Sequence, residues 1–205
     1  MQRKRLDLNA VYISERVQKC LHVIADSALT AVVAPMGYGK TTAVNWFLAE
    51  QSRVENALVV RVSIYSENLQ VFWKSLQNAF AAAGLTVLDG CDCPQDASGA
   101  AMLLDDLCAA LQGGRACYLF LDDFHLLQDD RAADFLCALA GRLPDNAHLI
   151  VASRNRFVPG REVVRLGRRL HRVETDQLRL NRAELTGYAR RCGLELTGEQ
   201  ADALL

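Results

Sequence analysis

No apolar run in this sequence approaches the roughly 20 residues that a membrane span needs, so a transmembrane helix is not expected. The basic start, Met1 to Leu8, is not followed by an apolar stretch of signal-peptide type or by a small-residue cleavage site. A cytoplasmic address is the resulting expectation. A disulfide framework is lacking as well. The seven cysteines are odd in number, and Cys20, Cys108, Cys117 and Cys137 sit inside apolar stretches, where a free thiol behaves as a small hydrophobe. A reducing compartment suits them. Cys91-Asp92-Cys93 has no second pair and no nearby histidine to complete a four-ligand zinc site, and reads as a surface loop that holds two thiols. No internal repeat is present. An excess of one charge is missing too, since the formal net charge is −1. Eleven arginines nevertheless crowd between Arg154 and Arg191, so the preceding part of the chain is correspondingly acidic.

What is there is an ordinary globular composition, 51% hydrophobic and 23% charged over 205 residues. A chain of that length can form one α/β domain that buries roughly 70% of its unfolded surface. Runs rich in β-branched and apolar residues recur at Ala28 to Ala34, Ala57 to Ile64, Ala116 to Leu121 and His148 to Ala152, with a weaker fifth at His171 to Glu174. Helix-period stretches lie between them at Thr41 to Glu50, Leu69 to Ala83, Ala97 to Leu111 and Arg131 to Leu143, with stops at Gly84, Gly113-Gly114 and Pro144. Near-continuous apolar strands separated by helices imply a mostly parallel five-stranded sheet covered on both faces, a three-layer α/β sandwich. The segment Gly84 to Gly99 lacks periodicity and reads as an exposed loop. Beyond the fifth strand, Asn181 to Glu184 and Thr197 to Gln200 both match the capping-box pattern that opens helices. The expected division is a domain over 1–176 and the start of a helical subdomain over 177–205, whose last apolar residues belong either to a longer protein or to a tail that docks on the sheet.

Between the first strand and its helix stands Ala34-Pro35-Met36-Gly37-Tyr38-Gly39-Lys40-Thr41, which matches the P-loop pattern of phosphate-binding proteins at every fixed position but the first, where Ala replaces Gly. A strand that ends in a flexible loop and turns into a helix aims several backbone N–H groups at one spot, and the helix dipole favours negative charge there. Gly37 and Gly39 let backbone approach phosphate oxygens, Lys40 supplies a point charge to the β and γ phosphates, Thr41 offers a hydroxyl to magnesium, and Thr42 is placed for the α phosphate. Pro35 to Thr42 are therefore the expected nucleotide-binding residues, with ATP or ADP and Mg2+ as ligands. Ala34 is expected in ordinary extended geometry, because a left-handed Ala costs roughly 1–2 kcal/mol.

The apolar strand Tyr118 to Leu121 ends in two carboxylates. With the P-loop upstream, Asp122 is expected to hold magnesium beside Thr41, and Asp123 to orient or deprotonate an attacking water. His125 could sense phosphate or cap local backbone, the cap being the more ordinary role. A third apolar strand, Leu149 to Ala152, ends in Ser153 and Arg154, so Arg154 can reach the γ phosphate from the carboxyl edge of the sheet. The fold class is therefore a P-loop NTPase sandwich.

These residues resemble the nucleotide-binding domain of MalT-type LuxR-family transcriptional activators, which belong to the STAND class of signal-transducing P-loop ATPases. Five stretches carry the resemblance: Ser14 to Arg16, Ala34 to Thr42, Phe120 to His125, Val151 to Arg154 and Leu178 to Glu184. Ala34 at the head of the loop is a mark of that family. The resemblance implies that Arg16, Val11 and Tyr12 lie near adenine and ribose, that Asp122 serves magnesium and Asp123 the water, and that Arg154 senses the phosphate. It also implies a slow, switch-type ATPase in a transcription regulator, resting with ADP and self-associating with ATP. Sensor and DNA-binding domains beyond residue 205 and an unknown inducer belong to that picture, with no membrane contact and no direct DNA contact by this part. The basic stretch Arg161 to Arg172 has no interleaved aromatics and reads as a solvated face or a docking surface for those domains rather than a nucleic-acid site. Phe72 and Trp73 read as core or domain-contact residues. The rival expectation is an AAA-type DNA-processing ATPase.

Overall fold

The structure, a computed structural model, describes residues 11–205. The basic start, Met1 to Leu8, lies outside the described residues. Among the described residues no helix is long and apolar enough to cross a membrane.

Five strands, β1 Leu29–Val33, β2 Leu58–Ser63, β3 Cys117–Asp122, β4 Ala147–Ser153 and β5 Leu170–Glu174, pair in the order β2-β3-β4-β1-β5. All four pairings are parallel. The helices are α1 Glu15–His22, α2 Lys40–Glu55, α3 Leu69–Ala82, α4 Ala97–Leu111, α5 Asp130–Arg142, α6 Gly160–Leu166, α7 Thr175–Leu178, α8 Arg182–Arg191 and α9 Gly198–Ala203. The five-stranded parallel sandwich expected from the sequence is the observed fold.

Successive strand residues face opposite sides of a sheet, and each strand here feeds two cores. Tyr118 and Phe120 of β3 and Ile150 and Ala152 of β4 join Val17 and Leu21 of α1 and Val44, Phe47 and Leu48 of α2 on one face. Leu119, Leu121, Leu149 and Val151 join Phe72, Trp73, Leu76, Leu104, Leu107 and Leu136 of α3, α4 and α5 on the other. Fully burying each such side chain contributes about 1.5–3 kcal/mol. Phe72 and Trp73 are core, as expected.

Three features differ from the sequence reading or add to it. The segment Gly84 to Gly99 is not an exposed loop throughout. Leu88 is fully buried and Cys93 nearly so, because the α3 side chains of Trp73 and Gln77 donate to the carbonyls of Cys91 and Leu88 at 2.8 Å and hold the turn against the core. The two thiols are therefore not both surface groups. The stretch Arg161 to Arg172 stays largely exposed, in keeping with a solvated face, but several of its cations are also bonded within the chain. Arg161 pairs with Asp134 at 2.8 Å, Arg165 donates to the Cys137 carbonyl at 2.8 Å, and Arg169 donates to the Ala140 and Leu143 carbonyls at 3.1 and 2.7 Å. Of these, the Arg169 guanidinium satisfies open carbonyls at the end of α5, where the helix dipole favours a cation. Finally, α1, α6 and α7 were not foreseen as helices.

Both expected capping boxes are present. Asn181 and Glu184 exchange side-chain and backbone bonds at the start of α8, as do Thr197 and Gln200 at the start of α9. Glu184 is also the partner of Arg16, with two hydrogen bonds of 3.0 and 2.9 Å across 168 positions of chain. The same guanidinium donates to the carbonyls of Gln177 at 2.8 Å and Arg179 at 2.5 Å. One side chain thus ties α1 to α7 and α8.

The Arg16 hydrogen bond holds the Glu184 carboxyl at about 2, against a usual 4.5. A carboxylate with a depressed folded pKa stabilises the fold above its unfolded pKa and loses that contribution as pH falls through the folded value. Glu184→Gln is therefore expected to lower stability by roughly 1–2 kcal/mol at neutral pH, a charge-assisted bond discounted for the part-exposed arginine. It should also flatten the loss of stability between pH 4.5 and about 2. Urea unfolding across that range checks both effects, and an unchanged pH profile in the variant would contradict the assignment.

Candidate functional site

The loop Ala34 to Gly39 leaves β1 at the carboxyl edge of the sheet and enters α2 directly. Gly37 and Gly39 have φ of +90° and +71°, the left-handed region that side chains disfavour, and a Cβ built on either meets nothing within 4 Å. The space beside both glycines is open, so it is the backbone conformation, not crowding, that calls for glycine there. Ala34 is not among the residues of positive φ, in agreement with the sequence argument, and its N–H donates to the Ser153 carbonyl at 3.3 Å.

Among the described helices of eight residues or more, α2 alone has no side chain capping its first turn. Ser14, Asn68, Asp96, Asp129 and Asn181 cap α1, α3, α4, α5 and α8. The orphan N–H groups of α2 follow Gly39 and face the loop. Such groups, backed by the helix dipole, favour an anion.

The Lys40 side chain lies under the loop, with the residue only 8% exposed. Its ammonium donates to the Ala34 carbonyl at 2.7 Å and the Pro35 carbonyl at 3.0 Å. Burial lowers its pKa, Asp123 opposes that shift, Arg154 adds to it, and Asp122 opposes it. All four charged groups therefore act on one small volume.

Strand β4 lies between β1 and β3, so the acidic strand is not the immediate neighbour of the loop strand. Even so, the Thr41 hydroxyl donates to Asp122 Oδ1 at 3.1 Å. Asp122 Oδ1 also accepts from the Asp123 N–H at 3.0 Å. Two oxygens of the kind Mg2+ prefers are thereby adjacent, and the donor set fits that ion. Asp123 stands in the left-handed region at φ 58°, a conformation Asp tolerates at a cost on the order of 1 kcal/mol. Its carboxylate is half exposed.

His125 does not cap backbone, contrary to the more ordinary expectation. Both its ring nitrogens are buried without a hydrogen-bond partner. Nδ1 lies 3.8 Å from Asp123 Oδ1, and burial, with Arg154 next, lowers the imidazole pKa. A neutral, unpartnered imidazole beside two carboxylates is one of the few unsatisfied buried polar groups a native fold keeps.

Arg154, exposed at the end of β4, reaches the loop from the opposite side, its guanidinium 3.5 Å from Met36 Sδ. Pro35, Met36, Thr41 and Thr42 are exposed, and Tyr38 is half-buried against the α2-side core. The structure thus gathers Lys40, Thr41, Asp122, Asp123 and Arg154 around the loop. Arg16 and Tyr12 make their contacts away from the loop, towards α7 and α8. Arg16 is committed to α7 and α8, the Tyr12 ring faces Tyr188 at 5.9 Å and lies 5.6 Å from the Arg191 guanidinium, and Val11 is exposed. The partners Glu184 and Tyr188 were not singled out as partners of this segment. For Glu184 the one signal was its place in a capping box.

The AAA domain family profile matches residues 24–153, more than half of the chain. Several solved structures are similar in fold. Cdc6p from Pyrobaculum aerophilum is 14% identical, with a TM-score of 0.56 over 96% of this chain and 52% of that one. A Walker-type ATPase of Pyrococcus abyssi is 13% identical, with a TM-score of 0.53 over 100% of this chain and 65% of that one. Drosophila ORC bound to AT-rich DNA and Cdc6 is 14% identical, with a TM-score of 0.49 over 78% of this chain and 52% of that one. The chain spans about half the length of the first of these structures. No curated protein matches the sequence significantly. These findings bear on AAA-type P-loop architecture and not on the narrower MalT-type resemblance.

Lys40→Ala is expected to weaken ADP binding roughly 10- to 100-fold, the worth of one charge-assisted contact. Titration calorimetry with and without Mg2+ measures it, and an affinity equal to that of the parent protein would remove the loop from the site.

Proposed function

We propose, on the premise that the chain belongs to the AAA domain family, that it is an ATP- and ADP-binding module that hydrolyses ATP slowly and acts as a nucleotide-gated switch. The observation that carries this reading is the Thr41–Asp122 hydrogen bond of 3.1 Å, which joins the phosphate loop to the acidic strand across an intervening strand. Lys40 and the uncapped start of α2 bind the phosphates. Thr41 and Asp122 hold Mg2+, which neutralises phosphate charge. Asp123 orients the attacking water, and Arg154 contacts the γ phosphate and reports its presence. Pro35 to Gly39 and Thr42 wrap the phosphate chain, while Val11, Tyr12 and Arg16 border the adenine and ribose side.

In its finer form the reading is the signalling ATPase of a MalT-type LuxR-family transcription regulator. Residues 1–176 are then the nucleotide domain and 177–205 the beginning of a helical subdomain, and ATP promotes self-association. The five sequence stretches support it.

A second reading is a DNA-processing AAA-type ATPase, favoured by the fold likeness to Cdc6p at a TM-score of 0.56. The two readings part in a turnover assay. A switch hydrolyses ATP at a rate on the order of 10⁻² s⁻¹ or slower and ignores duplex DNA. A tenfold rise on adding DNA would establish the second reading in its place.

Asp123→Asn keeps a residue that tolerates the left-handed backbone and removes the base. It is expected to lower turnover roughly 10²- to 10⁴-fold while ADP affinity stays within a few fold. Equal turnover in the variant would take the water-orienting role away from Asp123.

A further inference from the structure

The face of the sheet opposite α2 contains a cavity of about 450 Å³ between α3, α4 and α5, a volume typical of small-molecule sites. Phe72 and Trp73 of α3, Leu104 of α4, Phe135 of α5 and the Cys93-Pro94 segment line it. The rings of Trp73 and Phe135 meet edge to face, 6.1 Å apart at 82°. The Trp73 indole N–H is already donated to the Cys91 carbonyl at 2.8 Å. The indole therefore offers its face and no free donor.

The charges at the mouth are matched. Arg131 is paired with Asp129 at 2.7 Å, Arg142 with Asp105 at 3.0 Å, and Asp134 with Arg161 at 2.8 Å. The Asp96 carboxylate accepts the Gly99 N–H at 2.7 Å. An anionic guest would have to shed its water and draw Arg131 or Arg142 from its carboxylate to find a counter-charge. A neutral aromatic guest keeps every pair and gains ring-on-ring and ring-on-aliphatic contact.

We propose that this cavity is a binding site for a neutral aromatic small molecule of about two fused rings, separate from the nucleotide site. Its walls lead towards that site. Helix α5 opens a few residues after Asp123, and the strand that precedes α3 ends with Ser63 in register with Asp122. The binding claim itself does not rest on the nucleotide reading.

The test uses 2-naphthol as probe and the Trp46→Phe protein, in which Trp73 is the one tryptophan left of two. Saturable one-to-one quenching of Trp73 emission is expected, with the same stoichiometry by calorimetry. Ala101→Phe and Ala138→Leu fill the cavity and should each weaken binding at least tenfold while cooperative thermal unfolding persists. The anion 2-naphthoate should bind at least tenfold more weakly than 2-naphthol. That comparison needs no cavity variant, so it decides the ligand class even where a filled variant does not fold. Absence of saturation, binding that survives both fillings, or naphthoate binding as tightly as naphthol would each overturn the proposal. So would sedimentation showing a dimer of the chain that Ala101→Phe disperses, because a second copy would then be the occupant.

Discussion

In a parallel sheet every strand delivers its last residue to the same edge, so Val33, Asp122 and Ser153, far apart in sequence, finish side by side. The order β2-β3-β4-β1-β5 sets their spacing. It places β4 between the loop strand and the acidic strand, which leaves a gap at the edge above β4. Thr41 crosses it from the first turn of α2 to Asp122 at 3.1 Å, and Arg154 enters from the end of β4 itself. Ligands of open α/β sheets gather at the carboxyl ends of the strands for this geometric reason. The N–H groups of α2, the buried ammonium and the carboxylates are specific additions to it.

The same edge concentrates local conformational and polar penalties. Asp123 has a left-handed backbone, Lys40 is buried with a lowered pKa, both nitrogens of His125 lack partners, and α2 is uncapped. The left-handed Asp123 backbone and the unpartnered His125 nitrogens each cost on the order of 1–3 kcal/mol. At the opposite end Arg169 closes the last carbonyls of α5 and the His148 ring nitrogen is bonded to the Ser27 carbonyl at 3.0 Å, although Thr30 Oγ1 and His171 Nε2, neighbours on β1 and β5, are buried without partners and Asn56 is left-handed. What sets the carboxyl edge apart is that its departures fall on charged groups beside an uncapped helix start.

How much of this was legible in the sequence follows from the range of each interaction. Strands β1 to β4 were readable because each carries a mostly apolar run, β5 (LHRVE) less so, and α8 and α9 because a capping box is a pattern four residues long. The loop and the acidic strand end were readable as local motifs with fixed spacing. Strand order was not, because nothing in β4 says which neighbours it will take. Leu88 was hidden inside an aperiodic, Gly-bounded segment whose burial depends on donors from α3. The tie between Arg16 and Glu184 spans 168 positions, and each residue alone looks like an ordinary charged group on a helix. His125 could be read as a backbone cap only because sequence does not show that the local carbonyls are already satisfied.

That long-range tie adds to the packing of Leu178 with the α1 core and of Tyr12 against Tyr188 and Arg191. Helix α1 packs Val17 and Leu21 into the same core as Val44 and Phe47 of α2, and α2 begins at the lysine of the loop. Through Arg16, α1 is bonded to the carbonyls that end α7 and to the carboxylate that opens α8. A displacement of α8 is therefore resisted by a chain of packed side chains that ends at the phosphate loop, with no flexible linker in between. Contiguity of this kind is what mechanical coupling requires. It makes α8 a part of the nucleotide site's surroundings, although α8 lies outside the strand-helix alternation that builds the sheet.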